Sequence, residues 1–97
     1  MSGTCFKDAL TNAQPGDKIL HAMLPFRNTN KLFLHAVILR RRRIYEVRCG
    51  FLMPTSAERQ WRRTAQHVHE YTFAEAQQHA SKSGTYGPWA DFPADEV

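Results

Sequence analysis

Arg40, Arg41, Arg42 and Arg43 stand consecutively in this chain, and four guanidinium groups in a row favour one kind of chemistry. A guanidinium is planar, permanently charged, and forms paired hydrogen bonds to phosphate or carboxylate oxygens. A second cluster, Arg59, Arg62 and Arg63, surrounds Trp61. Arginine beside an aromatic ring can stack on unpaired bases, and tryptophan is an equally good anchor for a protein partner. Arg48 lies between the two clusters. Arg40, Arg41, Arg42, Arg43, Arg48, Arg59, Trp61, Arg62 and Arg63 therefore form the candidate binding set. The expected partner is a nucleic acid, DNA or RNA, or else an acidic protein surface. Charge that guards a sheet edge against aggregation accounts for one or two bases, not for four in sequence.

The distribution of charge sharpens this reading. The 97 residues carry a net charge of +4. Between Arg27 and Arg63 ten bases face only Glu46 and Glu58, a balance of +8, while the remainder carries three bases and seven acids. Asymmetry of this kind points to a polyanionic partner. Nine of the 13 bases are arginine, the residue better suited to bridging phosphates.

Other chemistry is thinly supported. His67 and His69 flank Val68, a spacing that puts both rings on one side of a strand. A metal there would need two more ligands from Cys49, His35 or His21, and no Cys-x-x-Cys or His-x-x-x-His spacing is present, so no metal and no cofactor are expected. With Glu70 and Tyr71 the same histidines could act as acid and base on RNA. No nucleophile pair or phosphate-binding glycine loop accompanies them, and no catalytic residue is assigned. Cys5 and Cys49 do not make a disulfide framework and suggest a reducing compartment, the cytoplasm. The longest apolar run, 32–39, is too short to span a bilayer, and the N-terminus lacks a secretion signal.

The elements that must position these groups read as follows. Phe6, Ala9, Leu10 and Ala13 recur at helical spacing, with Thr4 as the expected cap and Pro15-Gly16 as the break. Residues 18–26 read as a strand with Pro25 at its end or on an edge. Residues 31–39 are apolar on both faces apart from His35 and read as a central strand. From Ile44 to Met53, Tyr45, Val47, Cys49, Phe51 and Met53 alternate with Glu46, Arg48 and Gly50, predicting one strand with Cys49 on its buried face. Parity then requires an even loop, two residues at Arg41-Arg42 or four from Arg40 to Arg43, pairing 39 with 44, 38 with 45 and 36 with 47. Either loop puts the arginines at the hairpin tip. A two-residue turn would be strained there, because tight primed turns favour Gly, Asn or Asp.

Pro54 is expected to end that strand, and Thr55 to Glu58 fits a capping box for a short helix carrying Trp61, with a long loop over 55–65 as the alternative. Residues 66–71 read as a further strand. Thr72 to Glu75 forms a second capping box, opening a helix whose Phe73, Ala76 and Ala80 share one face. The residues from about 88, with Trp89, Phe92 and Pro93, read as an acidic, proline-containing tail.

The expected fold is a small single α+β domain over 1–97. It has an antiparallel sheet of three to four strands, a short N-terminal helix, and a C-terminal helix packed on one face. A basic hairpin beside a covering helix loosely resembles the small three-stranded DNA-binding domains of integrases and plant transcription factors. That resemblance is one of fold alone, and no residue is carried over from it. The first functional reading is a non-enzymatic nucleic-acid-binding protein. The second is a protein-binding inhibitor or adaptor, such as a phage- or plasmid-encoded protein blocking a host nucleoprotein machine, anchored by Trp61, Trp89 or Phe92. A small basic ribonuclease using His67 and His69 comes third.

Overall fold

The computed structural model describes residues 4–26 and 29–83. Helix α1 spans Phe6–Asn12, followed by strands β1 (Lys18–Pro25), β2 (Leu32–Arg40), β3 (Arg43–Arg48) and β4 (Phe51–Ala57). Helix α2 (Glu58–Thr64), strand β5 (Gln66–Thr72) and helix α3 (Phe73–Ser83) complete the described elements. The strands form one antiparallel five-stranded sheet in the order β4-β3-β2-β1-β5. The architecture is the expected α+β domain, with one strand more than the sequence suggested. No helix among the described residues is long and apolar enough to cross a membrane.

Alternating side chains of β1 and β2 feed two cores. Ile19, Ala36 and Ile38 pack with Phe6, Ala9 and Ala76, under α1 and α3. Leu20, Ala22 and Val37 pack with Ile44 and Trp61, under α2. The doubly apolar β2 is the middle strand and is covered on both faces, as its sequence requires. Trp61 is 6% exposed, so α2 is the cover of the second face and its tryptophan is core.

Three local expectations are corrected. Residues 44–53 form two strands, not one: the chain reverses at Cys49-Gly50, with φ of 52° and 80°, and Arg48 pairs with Phe51. Cys49 is consequently exposed at a turn, and Phe51 and Met53 turn outward, 70% and 46% exposed. Pro54 does not end a strand; it lies within the edge strand β4, where a missing N–H is tolerated. Thr55 caps nothing, because it too lies in β4, where its hydroxyl donates to the Ile44 carbonyl. α2 begins at Glu58 behind Ala57 without a side-chain cap.

At the N-terminus, Cys5 takes the capping position expected of Thr4, its Sγ accepting the Asp8 N–H at 3.4 Å. Thr4 instead bridges β2 and β3. It accepts the Ala36 N–H at 2.9 Å, donates its own N–H to His35 Nδ1 at 2.9 Å, and donates its hydroxyl to the Val47 carbonyl. The expected pairing of 36 with 47 is thus replaced by a bridge through Thr4. The capping box of α3 forms as expected: the Thr72 hydroxyl accepts the Glu75 N–H, and the Glu75 carboxylate accepts the Thr72 N–H. The predicted aromatic tail, with Trp89 and Phe92, lies outside the described residues.

Candidate functional site

The β2–β3 hairpin closes in the two-residue form. Ile38 pairs with Tyr45, Leu39 with Ile44 and Arg40 with Arg43, leaving Arg41 and Arg42 as the turn. Their φ values are 52° and 65°, the left-handed region that a type I′ turn demands at both central positions. Glycine or asparagine enters that region cheaply, whereas arginine crowds its Cβ against the carbonyl. The strain expected from the sequence is therefore present at both turn residues. The turn at Cys49-Gly50 solves the same problem with a glycine in its second position.

Asp17 holds the first arginine of the run. Arg40 donates from Nε to one Asp17 oxygen at 2.8 Å and from Nη2 to the other at 2.7 Å. Its guanidinium also lies 5.5 Å from the centre of the Tyr45 ring. Burial of Asp17 would raise its carboxyl, but hydrogen bonds from Arg40 and from the Gln14 N–H outweigh this and hold it below the ordinary carboxylate value. Arg40 is a structural residue whose charge is already matched. The Asp17 carboxylate also offsets the repulsion that two arginines directly opposite one another, Arg40 and Arg43, would otherwise create.

The second cluster reaches the hairpin through the backbone. The Glu58 N–H, at the start of α2, donates to the Arg42 carbonyl at 2.9 Å. This bond fixes α2 against the turn, and between them opens a groove of about 770 Å³ lined by Arg42, Arg59, Arg62 and Arg63. Arg62 is tied down within it. It donates to Glu58 at 2.8 Å, one helical turn back, and to Glu70 on β5 at 3.2 Å. Glu70 also accepts from Lys18 at 3.0 Å. The hydrogen bond to Glu58, then that to Glu70, raises Arg62 above the ordinary guanidinium value, and the bond from Lys18 lowers Glu70.

The nine candidates therefore divide. Arg41, Arg42, Arg43, Arg59 and Arg63 are exposed and form no ion pair among the described residues. Arg40 and Arg62 are held by acids, and Trp61 is buried. Arg48 lies at the opposite end of β3, paired with Glu46 at 3.3 Å. The structure thus brings the two basic clusters onto one end of the sheet and leaves Arg48 away from it. The sequence reading missed Asp17 and Glu70 as the groups that fix Arg40 and Arg62. Only the Glu58–Arg62 pair, four residues apart on one helix, was visible in the spacing.

The opposite side of the turn carries a smaller recess of about 430 Å³ lined by Arg40, Arg41, Asp17 and Tyr45, with Gly16 in its wall. Tyr45 belongs to the core under α1, and Ile44 to the core under α2. Arg41 and Arg42 therefore serve opposite faces of the same hairpin.

The histidine pair is not a matched site. His67 has φ of 54° at a bulge, where β5 spends an extra residue between the partners of His21 and Met23. The bulge breaks the alternation that would have put His67 and His69 on one side. His67 is exposed, while His69 stacks on Tyr71 at 6.5 Å between ring centres. Among the described residues no three His, Cys, Asp or Glu side chains gather as a metal site.

No family model, curated protein or solved structure matches this chain.

Proposed function

We propose that this protein binds the phosphate groups of nucleic acids through Arg41, Arg42 and Arg43 at the hairpin tip and Arg59 and Arg63 on α2. The observation that supports the reading is the convergence of Arg42 with the α2 arginines on one groove, with five exposed arginines free of acids. Each phosphate met by such a group releases condensed counterions, so binding weakens steeply as salt rises. Retention of two arginines in a strained turn, where Asn-Gly would be easier, supports a role for those side chains beyond stability. Both cysteines are free and exposed, in keeping with a reducing compartment such as the cytoplasm.

The test is fluorescence anisotropy with labelled duplex DNA, single-stranded DNA and RNA, from about 50 to about 200 mM salt, where phosphate contacts lose most affinity. Binding that falls with salt and is lost in Arg42→Glu with Arg59→Glu is the expected result. Absence of binding at the lowest salt refutes the reading. A second reading, a protein-binding inhibitor or adaptor, draws support from exposed Phe51 and Met53 on the edge strand β4. It predicts a partner whose capture depends on those two side chains and not on the arginines.

A further inference from the structure

We infer that the polymer is a duplex, contacted on both of its backbones without regard to sequence; this rests on the phosphate-binding reading above. The five free arginines fall on two faces of one β-layer. Arg42, Arg59 and Arg63 border the groove under α2. Arg41 borders the recess beside Tyr45, and Arg43, directly opposite Arg40, projects to that same face. A single β-layer separates Arg42 from Arg41 and Arg43, a thickness on the order of 10 Å, and α2 carries Arg59 and Arg63 further out on the Arg42 side. That thickness lies between the widths of the minor and major grooves of a DNA duplex, about 6 and 12 Å. Two rows of phosphates flanking one groove can therefore be met from the two sides of the tip, whereas one strand satisfies one side.

Two further observations favour backbone contact over base contact. The tip does not project from the sheet: Arg43 pairs with Ala57 and Glu58 bonds to Arg42, so β4 and α2 reach the same level as the turn. A ribbon flush with its neighbours cannot enter a groove deeply enough for its strands to line base edges. The aromatic groups near this end are also occupied. Trp61 is core, and Arg40 covers Tyr45. The stacking platform that single-strand binders use is not formed by the described residues at this end of the sheet.

The experiment compares a labelled duplex, its isolated strand and a scrambled duplex against the full chain. Five phosphate contacts predict a slope of log K on log salt of about −4.5 for duplex, and three contacts predict about −2 for single strand. The scrambled duplex binds as the original does. Arg41→Gln lowers the duplex slope by about 0.9 and weakens duplex binding more than single-strand binding, whereas Arg59→Gln weakens both alike. Equal slopes for duplex and single strand, or equal loss in both from Arg41→Gln, overturns the duplex assignment and leaves the phosphate reading standing. A strong preference between the two duplex sequences overturns it as well. No binding to any of the polymers at about 50 mM salt overturns both readings.

Discussion

Replacing the hairpin turn by Arg41→Asn with Arg42→Gly separates what the tip contributes to stability from what it contributes to binding. Both residues hold left-handed backbone, at φ of 52° and 65°, and each arginine there costs about 1 kcal/mol or slightly more, a cost that asparagine and glycine largely escape. Asn-Gly is the preferred occupant of a type I′ turn and relieves about 2 kcal/mol. Glycine returns roughly 0.5–1 kcal/mol of this through the extra freedom it gives the unfolded chain. The net gain is about 1 kcal/mol, which in a domain of this size raises the melting temperature by roughly 4–8 °C. The same variant loses two of five phosphate contacts, so the salt slope for duplex falls from about −4.5 to about −2.7. Arg41→Gln with Arg42→Gln supplies the control, because it removes the same charges and keeps the strained backbone. Thermal and urea melts of the three proteins, beside anisotropy titrations, give both quantities. An Asn-Gly variant no more stable than the parent refutes the strain argument. So does an equal gain in the Gln pair, which would trace the stability to relieved charge repulsion.

Three further outcomes follow from the packing. Asp17→Ala leaves Arg40 without its partner and costs about 2 kcal/mol in urea unfolding at neutral pH, the range for hydrogen bonds to a charged group, because the partly exposed guanidinium can rehydrate. Because the folded carboxyl of Asp17 is lowered, the stability it contributes is complete above its ordinary value and is lost as pH falls through the folded one; acid titration of the parent shows this loss and Asp17→Ala lacks it. Trp61→Ala removes the cover of the second core and costs about 3–5 kcal/mol, measured by denaturation, with binding lost only in proportion to the unfolded fraction. Gly50→Ala costs about 1 kcal/mol in the same assay through backbone strain alone, since φ is +80° and an added Cβ meets nothing within 4 Å.

Periodicity and parity revealed much of this fold, and the misreadings have identifiable causes. The even loop between β2 and β3 followed from the need to keep Ile38 and Tyr45 on one face, and they are paired. The second hairpin was hidden because apolar residues keep their alternation through Cys49-Gly50. A two-residue turn pairs Val47 with Leu52, which puts Leu52 on the face of Tyr45 and sends Phe51 and Met53 to the other. Gly50 inside an apparent strand was the available signal. Thr4 was read as a helix cap from its position alone. The unfilled span between β2 and β3 that it bridges exists only in the folded molecule. The bulge at His67 was equally invisible, because no glycine or proline marks it.

The candidate site was legible as composition, and its geometry depends on where the acids go. Six acidic residues lie among the described ones. Asp8 and Glu75 occupy the first turns of α1 and α3, where carboxylates meet unsatisfied N–H groups. Asp17 is committed to Arg40, Glu46 to His35 and Arg48, Glu58 to Arg62, and Glu70 to Lys18 and Arg62. A count along the chain gave ten bases against two acids between Arg27 and Arg63, yet the acids that match Arg40 and part of Arg62 come from outside that segment. Folding commits the acids to a few arginines that anchor elements and leaves the other five described arginines together. Those five share one end because the Glu58 N–H bonds the Arg42 carbonyl. That contact uses no side chain, so substitutions of the arginines themselves alter the charge of the groove while the bond that draws its walls together remains.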